Sequence, residues 1–520
     1  MPDIWGFADL HTHPAAHLGF GGVVGTRQLF FGSPMGPLAQ ALPCCNLAHD
    51  ILPSGTVVPD LVEHSKYGKD GWPTFQGWPR SETLLHQQMH LDSILRAFQN
   101  GLRLMVASAV NNEYLGWLYH GDRVDVSDDT AIQNQLTYIR TLAAATTWMQ
   151  IVETAADARD AIAAGKLAVV LGIEVDSLGG PTARRSQDFD MVDVTARLDR
   201  WYGQGVRIIN VMHLADNVFG GCAIYDDRFN CSNQSLYVRH GVAPAQFWAV
   251  DRDPQIAGVQ FLLGQNPSVT TLIGLYKPQY PDYLAVRTDG HANARGLSEG
   301  GSVLLQLMMA RGMMIDIDHM SQRTANAAID LALQHGYPLV SSHTGLRNLA
   351  VPRPRNKPWI AGAAHEGNKT DDQIRRLPPG SVLGIVSHLG PVSASAADNS
   401  ACWAAAYRHA IEDLQLDAVC VGTDFNGFGG QPGARNGGLR YDNEEDVVPG
   451  TTPLSMSSVG RTFDINTDGL AHYGMLPDFF LDVWLQYKVD GLVPLFRGAE
   501  KFVRGWEAAE GLAPSIPVPT

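Results

Sequence analysis

Eight short and mostly apolar runs recur along the chain, and helical patterns separate most of them. Short apolar runs without a regular polar alternation are typical of strands that are buried on both faces. The predicted strands are Ile4–Leu10, Leu102–Ser108, Leu167–Ile173, Val206–Val211, Met313–Ile317, Leu339–Ser342, Val382–Val386 and Ala418–Gly422.

Most intervals between these strands carry the periodicity of amphipathic helices. The predicted helices include Glu82–Gln99, Ala131–Val152, Ala155–Ala164, Val192–Gly203, Gly301–Arg311, Gln322–His335 and Ala401–Leu414. Several are followed by a glycine, such as Gly101, Gly165 and Gly205, which is a common helix stop before the next strand. Alternating strands and helices predict parallel pairing, and eight such units predict an α/β protein with a (β/α)8 TIM barrel.

The excess length of the chain lies mainly after the ends of the predicted strands. We expect a single barrel over residues 1–512, with insertions at about 17–80, 214–295, 344–379 and 425–475, and a flexible tail at 513–520. The insertions are rich in glycine, proline, asparagine and aromatic residues. Because active sites of such barrels form at the C-terminal face of the strands, we interpret the insertions as lids and pocket walls.

The composition favours a soluble globular protein. The 520 residues are 45% hydrophobic and 18% charged, and the net charge of -15 disfavours a nucleic acid or an anionic membrane as partner. No apolar run is long enough to predict a membrane span. The chain enters its first strand without room for a signal peptide, so we expect a cytoplasmic protein, or an exported one if such a peptide has been removed. Six cysteines make no disulfide scaffold, although Cys222 and Cys231 could pair in an exported protein.

Six of the eight strands end on a residue that can bind a metal or transfer a proton. These residues are His11 and His13 after the first strand, then Glu174, His213, His319, His343 and Asp424. His-x-His alone is a weak motif, but next to a strand it directs two imidazoles to one mouth of the barrel. A carboxylate at the end of an apolar strand is costly unless it is paired or bound to a metal. The set as a whole suggests a metal-dependent hydrolase.

Each candidate also has a simpler interpretation. Glu174 could form a structural salt bridge, His213 could be an ordinary pocket histidine, and Asp424 could cap a helix. In the functional interpretation, Glu174 bridges two metals, His213 polarises a substrate carbonyl, and Asp424 takes a proton from the attacking water. Arg355 and Asn356 either belong to a solvated basic loop or line the pocket, where Arg355 would clamp a substrate carboxylate.

Imidazole and carboxylate ligands together suit zinc, with manganese, iron or cobalt as alternatives. Asp9 is a possible partner for the first histidine pair, and Asp316 or Asp318 for a later histidine. His86 and His90 are spaced as neighbours on the predicted helix Glu82–Gln99, and we interpret them as structural.

Several longer segments carry a resemblance to a known family. They are DLHTHP, GKLAVVLGIE, GVRIINVMHLADN, NARGLSEGGSVLLQLMMARGMMIDIDHMS, PLVSSHTGLRNL with PRN, AVCVGTDFNG and LFRGAEKFVRGWE. Through them the chain resembles the membrane (renal) dipeptidases, peptidase family M19, of the amidohydrolase superfamily. The resemblance implies a (β/α)8 barrel with two zinc ions, and often a homodimer.

The resemblance also implies a role for each candidate. His11 and His13 would hold one metal, His319 and His343 the other, Glu174 would bridge them, His213 would bind the substrate carbonyl, Arg355 the substrate carboxylate, and Asp424 would be the acid and base. Two departures stand out: His13 occupies a position where the family usually has aspartate, and Glu174 is followed by Val175-Asp176-Ser177 rather than by small residues and a histidine.

The resulting expectation is a binuclear zinc amidohydrolase that cleaves a dipeptide or a similar small amide with a free carboxylate. Two alternatives stay open. The same metal site could act on an N-acyl amino acid, a lactam, a lactone or a phosphoester. The barrel could also be catalytically inactive and bind a ligand or a partner.

Overall fold

Eight parallel strands form a closed barrel, which confirms the predicted (β/α)8 fold. The computed structural model describes residues 2–25, 27–45, 71–75, 78–81, 83–178, 190–225, 229–230, 232–233, 248–252, 291–349, 365–388, 400–434, 454–456, 461–487 and 491–519. The barrel strands are β1 Phe7–Thr12, β2 Leu102–Val110, β3 Leu167–Glu174, β4 Val206–Asn210, β5 Met314–Asp316, β6 Val340–Thr344, β7 Val382–Val386 and β8 Cys420–Gly422. Each pairs with the next in the chain, and β8 pairs with β1.

The helices described alternate with these strands and cover the outside of the barrel. They are α1 Leu38–Ala41, α2 Leu91–Gln99, α3 Glu113–His120, α4 Asp128–Ala144, α5 Ala155–Ala163, α6 Met191–Gly203, α7 Glu299–Met309, α8 Gln322–His335, α9 Asp371–Arg375, α10 Ser400–Arg408, α11 Ile465–Asp468, α12 Leu476–Tyr487, α13 Val493–Phe496 and α14 Gly498–Leu512. Several begin at a side chain that accepts a backbone N–H, as helix starts require. These caps are Ser127, Thr154, Asp190, Ser298, Ser321 and Thr370.

The structure also contains short strands besides the eight strands of the barrel. A short strand at Met149–Ile151 pairs with the first half of β3. Three antiparallel pairs lie outside the barrel: Val23–Val24 with Arg27–Gln28, Val250–Arg252 with His291–Asn293, and Leu454–Met456 with Arg461–Phe463. The tail, which we expected to be flexible, begins with a 3-10 helix at Ala513–Ser515 and buries the side chain of Ile516.

Two predicted helices are wrong at one end. The prediction Glu82–Gln99 fails before Leu91, because the backbone around Leu85 and Gln87 bonds to Phe31 instead of forming helical turns. His86 and His90 therefore do not share a helix, and His90 caps α2. The prediction Ala131–Val152 extends too far, because α4 ends at Ala144 and the chain then pairs with β3.

A close approach between three strands shapes the interior of the barrel. A Cβ atom on Gly384 of β7 would lie 2.0 Å from the carbonyl oxygen of Ser342, and one on Gly422 of β8 would lie 1.9 Å from the same oxygen. Only glycine at these two positions lets β6 pass this near to both β7 and β8. The register of β6 against β7 also shifts between Ser341 and Thr344. This irregularity carries His343 inward, to the centre of the barrel mouth.

The structure bears on two expectations drawn from the composition, which concern membrane spans and the cysteines. Within the described part of the chain, no helix is both long and apolar enough to cross a membrane. Cys222 is buried and has a free thiol in this structure. Cys231, its suggested partner in an exported protein, lies outside the described residues.

Candidate metal centre

The two histidines of the first strand point at the same carboxylate oxygen. His11 lies within β1, and His13 follows it one residue after the strand ends. Their Nε2 atoms are 3.1 Å and 3.2 Å from Oε2 of Glu174. His13 Nδ1 lies 3.0 Å from the carbonyl oxygen of Ser108, which can only accept a hydrogen bond. That contact places a proton on Nδ1 and directs Nε2 toward the centre.

Glu174 ends β3 with its two oxygens facing different histidine pairs. Oε2 faces His11 and His13, while Oε1 lies 2.9 Å from His319 Nε2 and 3.7 Å from His343 Nε2. Burial favours the protonated carboxyl, but the neighbouring histidines outweigh it and hold the pKa of Glu174 well below its usual range. The side chain is therefore a buried carboxylate between two sets of nitrogen donors.

The second histidine pair comes from β5 and β6. The Nε2 atoms of His319 and His343 are 2.8 Å apart. Two imidazole nitrogens can approach this closely when they share a proton or a cation. His319 has a positive φ of 63°, a strained conformation for a residue with a side chain, and such strain is concentrated at functional sites. Burial, with a smaller contribution from the neighbouring histidines, holds the pKa of His343 well below its usual range, so this ring is neutral near pH 7.

Asp424 follows β8 and lies at the edge of the first histidine pair. Its Oδ1 atom is 3.1 Å from His13 Nε2 and 4.0 Å from His11 Nε2. Burial raises the pKa of Asp424, but the hydrogen bond from His13 and the nearby histidines hold it below its usual value. Burial lowers the pKa of His13, but its hydrogen bonds to Asp424 and Glu174 outweigh this effect and raise the pKa to about 10.

His213 lies beside Glu174 and His319. Its Nε2 atom is 3.8 Å from Glu174 Oε2, and its ring packs edge-on against His319 with centroids 4.8 Å apart. Burial lowers the pKa of His213 to about 3, so the imidazole is neutral over the physiological range. A neutral imidazole can donate one hydrogen bond to a substrate oxygen.

Three aspartates accept hydrogen bonds from the backbone next to the candidate histidine ligands. Asp9 accepts hydrogen bonds from the backbone N–H groups of His11 and Thr423 at 3.2 Å and 3.0 Å. Asp318 accepts the backbone N–H of His343 at 2.7 Å, and Asp316 accepts the backbone N–H of Asp318 at 3.0 Å. These carboxylates fix the backbone next to the candidate ligands, as outer-shell groups of metal sites do.

Sequence reasoning missed two residues near this centre. His388 follows β7 by two positions, and its Nε2 atom lies 3.9 Å from Asp424 Oδ2. It stands after the strand run LGIV, so the strand-end rule that found the other histidines could have found it. Lys369 had no such signal, and its Nζ lies 2.8 Å from Asp318 Oδ1. Arg355 and Asn356 lie outside the described residues.

Two of the three groups of donor atoms among the described residues share Glu174. The first ligand group is His11, His13, Glu174 and Asp424, and the second ligand group is Glu174, His319 and His343. Within each group the ligand atoms lie within 4.8 Å of one another. His11 Nε2 and Glu174 Oε1 are buried and form no well-aligned hydrogen bond, although they lie 3.1 Å from Glu174 Oε2 and 2.9 Å from His319 Nε2, respectively. A bound cation would satisfy both atoms. Imidazole nitrogens with carboxylate oxygens fit a divalent transition metal.

A parallel barrel with imidazoles and carboxylates at the C-terminal ends of its strands has the architecture of a metal-dependent hydrolase. The model of the membrane dipeptidase family, peptidase family M19, matches residues 269–441. The matched segment contains His319, His343 and Asp424, while the first histidine pair and Glu174 precede it. The match supports the resemblance inferred from the sequence: over residues 269–441 the chain is similar to the membrane dipeptidases, and together with the two ligand groups this supports a metal-dependent, dipeptidase-like hydrolase.

Several solved structures are similar to this chain over 81–82% of its length. The dipeptidase AC, a metallopeptidase of family M19, is 14% identical, with 82% of this chain and 90% of that chain covered at a TM-score of 0.46. An amidohydrolase from Pseudomonas aeruginosa is 16% identical, with coverages of 81% and 93% and a TM-score of 0.45. The probable dipeptidase PvdM from Pseudomonas aeruginosa is 13% identical, with coverages of 82% and 89% and a TM-score of 0.47. No curated protein matches the chain.

Proposed function

We propose that this protein is a binuclear zinc hydrolase that cleaves the amide bond of a dipeptide or a similar small amide with a free carboxylate. The observation that carries the proposal is the orientation of Glu174. Its two oxygens face different histidine pairs at 2.9–3.7 Å, which is the arrangement expected of a carboxylate that bridges two cations.

Each cation would have its own histidine pair. His11 and His13 would hold one, His319 and His343 the other, and Glu174 both. Zinc suits this donor set, with manganese, iron or cobalt as alternatives. Bound divalent cations would supply a Lewis acid for the substrate carbonyl and a water of lowered pKa as nucleophile.

The remaining groups bind the substrate and move protons. His213 donates a hydrogen bond to the carbonyl oxygen, where negative charge develops during attack. Asp424 accepts the proton of the attacking water and returns it to the departing amine, as its low pKa and its place beside His11 and His13 allow. Arg355, with Asn356 beside it, clamps the substrate carboxylate, as its place in the sequence after β6 suggests.

The proposal covers substrates beyond dipeptides because the chain departs from the family at two positions. His13 stands where the family usually has aspartate, so the site carries one negative charge fewer. Asp176, two residues after Glu174, accepts hydrogen bonds from Asn112 Nδ2 at 2.8 Å and from the backbone N–H of Leu214 at 2.7 Å. It thus supports the pocket wall where the family pattern has small residues and a histidine. N-acyl amino acids, lactams, lactones and phosphoesters are therefore included among the candidate substrates.

The first test is metal content. Protein purified without chelator and then offered zinc should retain about two ions per chain by elemental analysis, while Glu174→Gln should retain fewer. About one ion in the wild type would favour a mononuclear hydrolase. No retained ion would contradict the hydrolase and favour a binding protein.

The second test is turnover by the metal-loaded enzyme. A panel of dipeptides, including some with a D-residue at the C-terminal end, is compared with the other candidate substrates. Asp424→Asn should lower kcat by roughly 10²- to 10⁴-fold while retaining both metals. Unchanged turnover in this variant would contradict the role proposed for Asp424.

We further propose that residues 1–512 form one barrel unit, in which the long insertions make the walls of the substrate pocket. The family resemblance also suggests a homodimer. Light scattering after size-exclusion chromatography would distinguish a monomer, with the 56.4 kDa mass of one chain, from a dimer of twice that mass.

A further inference from the structure

His388 lies beside the proposed acid and base, yet none of the roles above uses it. It follows β7, and its Nε2 atom is 3.9 Å from Oδ2 of Asp424. The side chain is 23% exposed. An imidazole that is mostly buried next to a catalytic carboxylate requires an explanation of its own.

The backbone of neighbouring segments fixes the position of the His388 ring. A Cβ atom on Gly429 would lie 2.6 Å from both Cε1 and Nε2 of the ring, so any side chain at position 429 would displace the imidazole. The adjacent Ser387 donates its hydroxyl to the carbonyl oxygen of Thr423 at 2.9 Å, and Gln431 Nε2 donates to the same oxygen at 2.9 Å. These contacts tie the end of β7 to the residue just before Asp424.

The position of the other carboxylate oxygen of Asp424, Oδ1, is also restricted by its neighbours. Its Oδ1 atom lies 3.1 Å from His13 Nε2, and a Cβ atom on Gly427 would lie 2.0 Å from Oδ1. Asp424 has a positive φ of 50°, a strained conformation that its surroundings must maintain. Oδ1 therefore faces His11 and His13, while Oδ2 is turned toward His388.

We propose that His388 is a positioning residue for Asp424. Its Nε2–H donates a hydrogen bond to Oδ2, directly or through one water molecule, and this bond keeps Oδ1 aimed at the Nε2 atoms of His11 and His13. The inference rests on the proposed role of Asp424 as acid and base. The distance of 3.9 Å is too long for a direct bond, but one water can bridge it, and catalytic hydrogen bonds often shorten when substrate binds.

The other ring nitrogen is compatible with this tautomer. Nδ1 of His388 is buried without a hydrogen-bond partner among the described residues. The single proton of a neutral imidazole can therefore reside on Nε2, where the carboxylate of Asp424 attracts it.

Three substitutions of His388 separate hydrogen bonding from packing. His388→Phe keeps a flat ring against Gly429 but removes the donor. His388→Gln places an amide N–H close to the former Nε2, whereas His388→Asn places it close to the former Nδ1. In the metal-loaded enzyme we expect His388→Phe and His388→Asn to lower kcat roughly 10- to 100-fold, with KM changed less than about twofold, and His388→Gln to stay within about threefold of wild type. Metal content and thermal stability serve as controls for folding.

A double-mutant cycle tests whether His388 acts through Asp424. Because Asp424→Asn already removes the acid and base, adding His388→Phe to it should cause no further loss of kcat. A wild-type kcat in His388→Phe, a loss confined to KM, or losses that multiply in the double variant would each overturn the proposal.

A structural readout keeps the inference separate from the proposed function. Crystal structures of metal-loaded wild type and His388→Phe should differ in Asp424, whose carboxylate should turn or split between two orientations in the variant. An identical single orientation would overturn the inference. This comparison holds even if no tested amide is hydrolysed, which would count against the proposed function alone.

Discussion

The imidazole rings of His11 and His343 are stacked, with their centroids 3.7 Å apart and their planes at 22°. His11 belongs to the first ligand group and His343 to the second. The hydroxyl of Ser342 lies 3.2 Å from His11 Nδ1 and 2.8 Å from His343 Nδ1. The hydroxyl oxygen of Ser342 therefore contacts Nδ1 of both rings, the nitrogen that points away from Glu174. It can accept a hydrogen bond from each ring.

Ser342→Ala should therefore weaken metal binding at both groups. Without the acceptor, neither ring is held in the tautomer that leaves Nε2 free for a cation, and we expect a loss of roughly 10- to 100-fold in zinc affinity. Ser381→Ala is the matched control, because Ser381 accepts the backbone N–H of Leu339 at 2.9 Å before β6 begins. Competition with a chromogenic chelator measures both variants, and equal affinities would contradict the role of Ser342.

His13→Asp should change the metal preference of the first ligand group. An aspartate adds a negative charge and a hard oxygen in place of an imidazole, which favours manganese relative to zinc. We expect the ratio of bound manganese to bound zinc to rise roughly tenfold when both metals compete. His13→Asn provides a neutral side chain of the same size as aspartate, and an equal change in that variant would show that charge is not the cause.

The barrel could be predicted from the sequence because its signals are local. Each buried strand is a short apolar run, and Val382–Val386 has the predicted bounds. The helix Glu82–Gln99 could not be placed correctly, because pairing of Gln87 with Phe31, 56 residues earlier in the chain, overrides its periodicity. Helical spacing alone carries no information about such a partner.

The same distinction between local signals and contacts of distant residues applies to the candidate site. Residues at strand ends, such as Glu174, could be found because the strand itself marks them. Which atoms meet could not be predicted, since His13 and Asp424 are 411 residues apart and Asp424 reaches His13 through a strained backbone. Lys369 had no strand to mark it, and only the folded chain brings it to Asp318.

His17 should make the protein sensitive to acid. Its side chain is buried against Tyr138, with ring centroids 4.7 Å apart, and burial lowers the pKa of His17 to about 4 from an ordinary value of 6.5. A histidine whose pKa is lower in the folded state stabilises the fold above pH 6.5 relative to low pH. This contribution is lost as the pH falls through that range toward 4.

His17→Phe keeps the ring and removes the titration. Between pH 6.5 and pH 4 the wild type should lose roughly 3 kcal/mol more unfolding free energy than this variant, which is the difference of 2.5 pKa units. Urea unfolding of the metal-free protein at several pH values measures the difference. His335→Gln, a change at the end of α8, is the control and should follow the wild type. Parallel curves for wild type and His17→Phe would contradict the prediction.

Lys369 should be important for stability as well as for the second ligand group. Its Nζ atom is 2.8 Å from Asp318 Oδ1, and the two side chains are 3% and 4% exposed. Lys369→Met would leave the carboxylate of Asp318 buried without its cation, which typically costs about 3–5 kcal/mol. Because Asp318 also accepts the backbone N–H of His343 at 2.7 Å, the second ligand group should bind metal more weakly in this variant.

The double variant Lys369→Met, Asp318→Asn separates charge from packing. It removes both charges, so it should regain part of the lost stability. Recovery should be incomplete, because asparagine has a single acceptor oxygen for the two donors at His343 N and Ser341 Oγ. Lys501→Met is the matched control, since Lys501 pairs with the largely exposed Asp417 and should cost less than about 1 kcal/mol. Equal losses in Lys369→Met and Lys501→Met, measured by urea unfolding without metal, would show that the buried pair contributes no more than a surface pair.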